Sequence, residues 1–263
     1  MMEFTSFENG VVICDDCLEI MPTISEKSVD MILCDLPYGT SACKWDTIIP
    51  FEELWKNYKR LVKNESAIIL FGSEPFSSKL RCSNLDMYKY DWKWEKPSGA
   101  NFLNFKYQPA KVYEDIMVFG LSAVSYSKKG NMKYYPQMEK GEPYKQKSGK
   151  QKEEYGNSSV RTPIKQVITD NSGERYPRAI QKFSGDKDKL HPTQKPVALF
   201  EYMIKTYTNE GELVLDNCAG SGTTAIACIN TNRRFICIEK DKKYYDISVE
   251  RIKNHLKFLS DCS

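Results

Sequence analysis

Short, continuous runs of apolar residues recur in the first part of the chain, and each is followed by residues that favour turns. The runs cover residues 11–14, 31–34 and 68–71, and Asp, Gly or Ser follows each one. Such runs are typical of parallel strands that are buried on both faces. The intervening stretches 17–24 and 51–62 have the apolar spacing of helices. The pattern predicts strands and helices that alternate in a parallel α/β sheet.

The same alternation returns near the C-terminus, and two more apolar runs lie in between. The further predicted strands are 90–94, 116–119, 213–215 and 235–238, and the further predicted helices are 197–207, 223–230 and 244–258. The whole set predicts a doubly wound α/β sheet of seven mostly parallel strands.

Residues 122–190 interrupt this pattern. The segment is rich in Lys, Ser, Gly, Gln and Tyr and poor in aliphatic residues, and 148–152 has the composition of a loop. It carries 15 Lys and Arg against 8 Asp and Glu, a net +7, whereas the rest of the chain carries 23 against 27, a net −4. A basic segment in an acidic frame is either solvated surface or a surface that binds phosphate.

A glycine-rich turn follows the predicted strand 213–215. Gly220 and Gly222 let the backbone approach a ligand closely, and Asp216 ends the strand just before the turn. Glu239 ends the next strand, where a carboxylate can accept hydrogen bonds from both ribose hydroxyls of a nucleoside. The sequence therefore predicts a nucleoside-containing ligand at this turn.

Two cofactors compete for the turn. The spacing Gly220-x-Gly222-x-x-Ala225 also fits the fingerprint of a nicotinamide dinucleotide site, although that match alone is weak. A pyrophosphate needs bare backbone N–H groups, and Asp216 would repel it. The carboxylate suits a cationic ammonium instead, so S-adenosylmethionine, which has an ammonium, a sulfonium and a ribose but no phosphate, is the expected cofactor.

The tetrapeptide Asp35-Leu36-Pro37-Tyr38 follows the predicted strand 31–34 and lies at the same edge of the sheet. The amino nitrogen of a nucleobase is a poor nucleophile because its lone pair is delocalised into the ring. The Asp35 carboxylate and the Leu36 carbonyl can accept its N–H groups and favour a tetrahedral nitrogen. Pro37 stiffens the turn, and the Tyr38 ring can stack on a base that has left the helix.

With both motifs in view, the chain resembles the amino-methylating DNA methyltransferases, in particular the subgroup in which the catalytic motif precedes the cofactor motif (the beta class). The tetrapeptide matches the family's catalytic motif, with Leu36 where Pro is usual, a position that acts through its carbonyl. The resemblance implies cofactor-binding roles for Asp15, Lys195, Asp216, Asn217, Gly220, Ser221, Gly222, Thr223 and Glu239.

Two of these roles, and one expected substrate contact, rest on neighbouring stretches of the family pattern. Lys195, in His191-Pro192-Thr193-Gln194-Lys195-Pro196, is expected to hold the cofactor carboxylate, and Asp15 is expected to face the adenine of the cofactor. The loop at Trp45 resembles the segment after the catalytic motif, so Trp45 is expected to contact the substrate.

The resemblance also implies an organisation of the chain. Residues 1–121 and 191–263 would form a circularly permuted Rossmann-like methyltransferase domain that depends on S-adenosylmethionine, and 122–190 an inserted target-recognition region. Within that region, lysines including Lys145 and Lys147 are expected to contact phosphates. The planar heads of Arg161, Arg175, Arg178 and Gln181 are expected to read base edges.

The expected reaction is transfer of a methyl group to N6 of adenine in double-stranded DNA. N4 of cytosine remains open, because it needs the same chemistry, whereas C5 of cytosine is excluded because Pro37 is followed by Tyr38 rather than a nucleophilic Cys. A catalytically silent DNA-binding subunit is the alternative from another class, and the intact Asp35, Asp216 and Glu239 argue against it. A homodimer and a cognate restriction endonuclease are left open.

Composition bounds the setting of the protein. The nine Cys residues are odd in number and dispersed, which favours a reducing cytoplasm over a disulfide scaffold. Cys14 and Cys17 form a lone C-x-x-C, and a chain with two His residues offers little to complete a metal site, so none is expected. No apolar run approaches the about 18 residues of a membrane span.

Overall fold

The computed structural model describes residues 3–40, 46–100, 102–147, 168–186 and 194–261. Thirteen strands lie in these ranges: β1 (Glu3–Phe7), β2 (Gly10–Cys14), β3 (Val29–Cys34), β4 (Val62–Gly72), β5 (Tyr88–Ala100), β6 (Lys111–Gly120), β7 (Glu139–Lys140), β8 (Tyr144–Lys147), β9 (Ile168–Asn171), β10 (Glu174–Arg175), β11 (Ile180–Lys182), β12 (Leu213–Asp216) and β13 (Arg234–Glu239).

The same ranges contain six α-helices and two short 3₁₀ turns. The helices are α1 (Cys17–Ile20), α2 (Phe51–Leu61), α3 (Phe76–Ser83), α4 (Val197–Tyr207), α5 (Thr223–Asn230) and α6 (Lys242–Asp261). The 3₁₀ turns are Met21–Thr23 and Phe102–Asn104. All helices predicted from the sequence are present, and α4 and α5 have the predicted bounds.

Within the described residues, nine strands form one sheet in the order β1-β2-β13-β12-β3-β4-β6-β5-β11. The five strands from β2 to β4 in this order run parallel, whereas β6 is antiparallel to both of its neighbours. The seven predicted strands are the seven central ones. The sheet therefore has two strands more than the predicted seven, one at each edge. β1 was not predicted because it is short and largely exposed, and β11 was not predicted because it lies inside the segment interpreted as an insert.

Side chains of the central strands point alternately to the two faces of the sheet and pack in an apolar layer on each face. In β3, Met31 and Leu33 pack on the face covered by α4, α5 and α6, and Ile32 and Cys34 pack on the face covered by α1, α2 and α3. All six residues of β3 are buried, as the continuous apolar run predicts for a strand covered on both faces. The helices therefore leave the carboxyl ends of the parallel strands as the edge where a site can form.

The chain divides into two compact units. The larger comprises 1–135 and 179–263, and the smaller is Pro136–Arg178. In the smaller unit, β7 pairs with β10 and β8 pairs with β9, both antiparallel. It lies within the predicted insert 122–190, and β11, toward the end of that segment, belongs to the large sheet.

Candidate active site

The carboxyl ends of β3, β12 and β13 converge on a pocket of about 540 Å³. Its lining combines the catalytic tetrapeptide, the glycine-rich turn and the segment before α4. The residues predicted from the sequence that line it are Asp35, Leu36, Pro37, Tyr38, Lys195, Asp216, Asn217, Gly220, Ser221, Thr223 and Glu239. The two motifs, about 180 residues apart in sequence, meet because β3 and β12 are neighbours in the sheet.

Asp35 lies directly after β3 and is held from two sides. The Tyr38 hydroxyl donates to Asp35 Oδ1 at 2.7 Å, and Lys195 Nζ lies 2.5 Å from Asp35 Oδ2. The Tyr38 ring stacks on Phe76 with ring centroids 5.0 Å apart, so one face of the ring is covered. These contacts fix the carboxylate and the aromatic ring of the catalytic motif at the wall of the pocket.

Lys195 also contacts a second carboxylate. Its Nζ lies 3.2 Å from Glu114 Oε2, and Lys96 Nζ lies 2.9 Å from Glu114 Oε1. The side chain of Lys195 is buried, which is costly for an ammonium without paired anions. Lys195 therefore binds Asp35 in this structure, and its role at a cofactor carboxylate stays a prediction.

The charges in this group shift one another's ionisation. Burial raises the pKa of Asp35, and Glu114 adds to that rise against the opposing effect of Lys195. Burial by itself would lower the pKa of Lys195, but the Asp35 and Glu114 carboxylates raise it above its usual value. Burial likewise opposes ionisation of Glu114, yet Lys195 and Lys96 bring its pKa below the ordinary range. Lys195 is thus a charged ammonium between two carboxyl groups.

Asp216 ends β12 and organises the glycine-rich turn. Its Oδ1 accepts the backbone N–H of Cys218 at 3.0 Å, and its Oδ2 accepts the hydroxyl of Thr224. Burial raises the pKa of Asp216 to about 7, although these hydrogen bonds favour the ionised form. A cationic ligand group in the pocket would favour the carboxylate, so this aspartate is suited to bind one.

The glycine-rich turn needs backbone angles that other residues rarely adopt. Gly220 has φ +52° and Gly222 has φ +78°, both in the left-handed region. The N–H of Gly220 donates to Glu239 Oε2 at 2.8 Å, and the N–H of Asp241 donates to the other oxygen at 2.8 Å. Gly222 does not line the pocket but precedes α5, where an added Cβ would lie 3.0 Å from Ser248 Cβ.

Neighbouring side chains hold the rest of the turn. Asn217 Oδ1 accepts the hydroxyl of Tyr58 at 2.6 Å, deep in the core. Ser221 Oγ donates to Gln194 Oε1 at 3.2 Å, and Arg251 donates to Thr223 Oγ1 at 3.0 Å. The turn is therefore supported by α2, α6 and the segment before α4.

Asp16, rather than the predicted Asp15, lines the pocket. Asp16 accepts the N–H of Leu18 at the start of α1 and pairs with Lys240 at 2.7 Å. The carboxylate of Asp15 accepts the N–H of Asp16 at 2.8 Å. The two neighbours are the same residue type, so the pattern alone could not distinguish them.

Some of the residues predicted to contact the substrate lie in the described part of the chain, and others do not. Trp45, Arg161 and the stretch 191–193 lie outside the described residues. The neighbouring Asp46 accepts the N–H groups of Gly39 and Thr40 at 2.8 and 2.9 Å, which holds Asp46 against the residues that follow the tetrapeptide.

The residues of the insert that are predicted to read bases differ in their position and contacts. The Arg175 guanidinium stacks on Tyr144, 4.5 Å from its centroid, and donates to the carbonyl oxygen of Glu142. Arg178 ends the small unit, and Gln181 is a buried residue of β11. The contacts of Arg175 stabilise the small unit, and contact of any of these residues with bases stays a prediction.

Sequence reasoning missed Glu114 and did not single out Gln194. Gln194 precedes Lys195 directly in the stretch 191–196, and this position was the signal in the sequence that it could lie at the pocket. Glu114 lies in β6, two residues before the apolar run 116–119, and nothing in its local pattern links it to Asp35.

Two further features are absent from the described ranges. No group of three or more His, Cys, Asp or Glu side chains there is placed to hold a metal ion. None of the described helices has the length and apolar character needed to cross a membrane.

Comparison with known proteins places this site in a family. The family model for the N6/N4 DNA methylases matches residues 29–250. Type II methyltransferase M.HpaI of Haemophilus parainfluenzae is 26% identical over 260 residues, covering 92% of this chain and 73% of that protein. DNA adenine methyltransferase YhdJ of Escherichia coli K12 is 29% identical over 259 residues, covering 93% of this chain and 83% of that protein.

Solved structures share the fold. The cytosine-N4-specific PvuII DNA methyltransferase superposes with a TM-score of 0.65 at 15% identity, covering 95% of this chain and 92% of that one. The complex of M1.HpyAVI with S-adenosylmethionine gives a TM-score of 0.57 at 24% identity, covering 91% and 98%. The predicted permuted, Rossmann-like methyltransferase fold is confirmed. The family match spans most of the chain, both of its motifs included, and the protein belongs to the N6/N4 DNA methylases.

Proposed function

We propose that this DNA methyltransferase transfers the methyl group of S-adenosylmethionine to N6 of adenine in double-stranded DNA. The observation that carries the proposal is the Asp35 carboxylate at the pocket wall, held by Tyr38 and Lys195 beside the glycine-rich turn. An amino group that enters this pocket meets a fixed acceptor, an aromatic ring and, next to both, a nucleoside-sized space.

The residues of the pocket fit the cofactor. A volume of about 540 Å³ lies in the range of small-molecule sites. Each carboxylate oxygen can accept two hydrogen bonds, so Asp216 and Glu239 keep acceptor capacity for an ammonium and for ribose hydroxyls. When bound, S-adenosylmethionine supplies an electrophilic methyl group on a cationic sulfur.

The chain's own groups prepare the amino nitrogen. Asp35 and the Leu36 carbonyl accept its two N–H groups, which draws the lone pair out of conjugation with the ring and toward the methyl donor. With the cofactor bound, the nitrogen would gain the methyl group as the bond from methyl to sulfur breaks, and it would then lose one proton. Asp35, hydrogen-bonded to that proton, is placed to receive it and pass it to water.

Adenine is favoured over cytosine on two grounds. The catalytic motif begins with Asp35, and in the family that this chain resembles, Asp at this position tends to accompany adenine. The relative YhdJ, which matches 93% of this chain, is named as an adenine methyltransferase. The expected product is therefore N6-methyladenine.

Nucleoside analysis tests the choice of base. Unmethylated DNA is incubated with the protein and S-adenosylmethionine, digested to nucleosides and analysed by mass spectrometry. N6-methyldeoxyadenosine is expected. N4-methyldeoxycytidine would overturn the choice of adenine, and a product without any methylated nucleoside would overturn the proposed reaction.

Target recognition is proposed to lie in residues 122–190, between the catalytic parts 1–121 and 191–263. The supporting observations are the net charge of +7 in this segment and the separate compact unit Pro136–Arg178 inside it. Lysine contacts with phosphates would orient this unit on DNA, and base-edge contacts would give the sequence preference.

A further inference from the structure

The β5–β6 hairpin extends beyond the edge of the sheet at which the pocket opens. Gly72, the last residue of β4, pairs with Asp115 of β6, and Lys111 pairs with Ala100 at the far end of the hairpin. Four residues of β6 therefore run past the end of β4, a distance of about 14 Å. Glu114 is the residue of this extension that lies nearest the sheet, and it contacts Lys195 in the pocket.

Large apolar side chains crowd the described part of the hairpin tip, 102–110. Phe102 is 73% exposed and Leu103 is 76% exposed, and Phe105 and Tyr107 are exposed as well. Two neighbouring apolar side chains with three-quarters of their surface in water are unfavourable unless a partner covers them.

The tip is a folded turn. The N–H of Phe105 donates to the carbonyl of Phe102, and the N–H groups of Tyr107 and Gln108 both donate to the carbonyl of Asn104. At its base, the Phe105 ring lies against Gly99, where an added Cβ would be 3.2 Å from Cζ. Phe102 and Leu103 are thus displayed on an ordered support.

The charge of the tip favours a polyanionic partner. Residues 97–113 contain Lys106 and Lys111 and no Asp or Glu. Apolar side chains flanked by lysines are the combination with which proteins enter a base stack while their cations contact the backbone phosphates.

We propose that the hairpin tip inserts into duplex DNA beside the target base, with Phe102 and Leu103 entering the base stack and Lys106 and Lys111 contacting phosphates. This inference rests on the proposed function, because the target base must leave the helix to reach Asp35. Side chains that enter the stack take the place of the base that rotates out and so restore part of the stacking energy. The partner is therefore the same DNA molecule whose base occupies the pocket.

A second copy of this chain is the competing partner, and the observations favour it less. In a two-fold interface the same patch lies on both subunits, so the lysines of both tips would be brought into one interface that offers them no carboxylates from the tip. A narrow protruding turn also offers less area than the about 800 Å² per partner of a stable protein interface.

The test compares a double variant, F102S/L103S, with the matched control Leu85→Ser. Leu85 is 65% exposed and precedes β5, at the end of that strand opposite to the tip. Two duplexes carry the protein's own methylation site, located beforehand by sequencing methylated DNA. In one the target base is paired, and in the other it lies opposite an abasic position, which lowers the energy needed to expel it.

The double variant should lose about tenfold or more in kcat/KM on the paired duplex and regain most of it on the duplex with the abasic position. Leu85→Ser should behave as the wild type on both. An unchanged rate on the paired duplex, an equal loss on both, or a change from dimer to monomer by light scattering would overturn the proposal. A wild-type protein that methylates no DNA would instead contradict the proposed function on which it rests.

Discussion

At the scale of single residues, Asp216 has a structural role in the turn and a proposed role in cofactor binding. Its carboxylate accepts a backbone N–H and a hydroxyl of the turn that follows β12, and it lines the pocket. Burial favours the protonated form of this group, whereas a cation beside it favours the ionised form. If Asp216 binds the cationic cofactor as proposed, its proton loss is coupled to cofactor binding.

The coupling predicts how cofactor affinity depends on pH. The folded protein without cofactor has Asp216 with a pKa of about 7, and the cofactor binds the ionised form. Affinity should therefore be constant above about pH 7 and fall by up to about tenfold per pH unit below it. Calorimetric titration with S-adenosylmethionine between about pH 5.5 and 8.5 measures this.

Asp216→Asn serves as the control, because the amide keeps the size of the side chain but does not titrate. The variant should bind more weakly at about pH 8 and lose this part of the pH dependence. Equal pH dependence in both proteins would show that Asp216 is not the group that responds to the cofactor.

At the scale of elements, the position of Asp35, the proposed catalytic aspartate, depends on four segments. Asp35 follows β3, Lys195 precedes α4, Glu114 lies in β6 and Lys96 lies in β5, and the three ion pairs between them link these segments. Glu114 and Asp35 both pair with the ammonium of Lys195. Glu114 therefore prevents Lys195 from pairing with Asp35 alone. We therefore predict that Glu114 positions Lys195 and that its charge also acts directly on the pKa of Asp35.

Glu114→Gln should move the acidic limb of the kcat profile to lower pH. Asp35 must be ionised to accept the amino group, and Glu114 is a negative charge that raises the pKa of Asp35. Removing this charge lowers that pKa, while the other groups that face Asp35 remain, namely Lys195, Tyr38, Cys34 and Asp216. The measurement is the rate of methyl transfer at saturating cofactor and DNA over a range of pH, which gives the pH at which kcat falls on the acidic side.

Glu95→Gln is the matched control for this change. Glu95 lies in β5 and pairs with Lys182 at 3.0 Å, so the same substitution alters a partly exposed ion pair. The profile of this variant should equal that of the wild type. A limb that stays in place in Glu114→Gln, or moves to higher pH, would contradict the role of Glu114.

The elements also show what local sequence can predict. The bounds of α4 and α5 follow from apolar spacing and from Gly222 before α5, and β3 follows from its unbroken apolar run. β1 gives no such signal, because an exposed edge strand needs no apolar run. Glu114 and Lys195 are paired by the meeting of distant segments, which no local pattern encodes.

At the scale of the whole molecule, the order of motifs is compatible with the fold because the start of α6, the last described helix, contacts β1. The Thr5 hydroxyl lies 2.8 Å from the Tyr245 hydroxyl, and Lys242 Nζ lies 3.1 Å from Glu3. β2 can therefore pair with β13 although the strands lie near opposite ends of the sequence. The sequence motifs predicted this permuted order, and the pairing of β12 with β3 brings the catalytic and cofactor motifs to one pocket.

The proposed function requires that this one pocket binds the cofactor and that the transfer proceeds through Asp35. Asp35→Ala tests it most directly, with transfer of labelled methyl groups to DNA and calorimetric cofactor affinity measured on the same preparation. The variant should lose about 100-fold or more in transfer rate, because the acceptor for the amino group is gone, and should keep wild-type cofactor affinity to within a few fold. A near-normal transfer rate in Asp35→Ala would contradict the account.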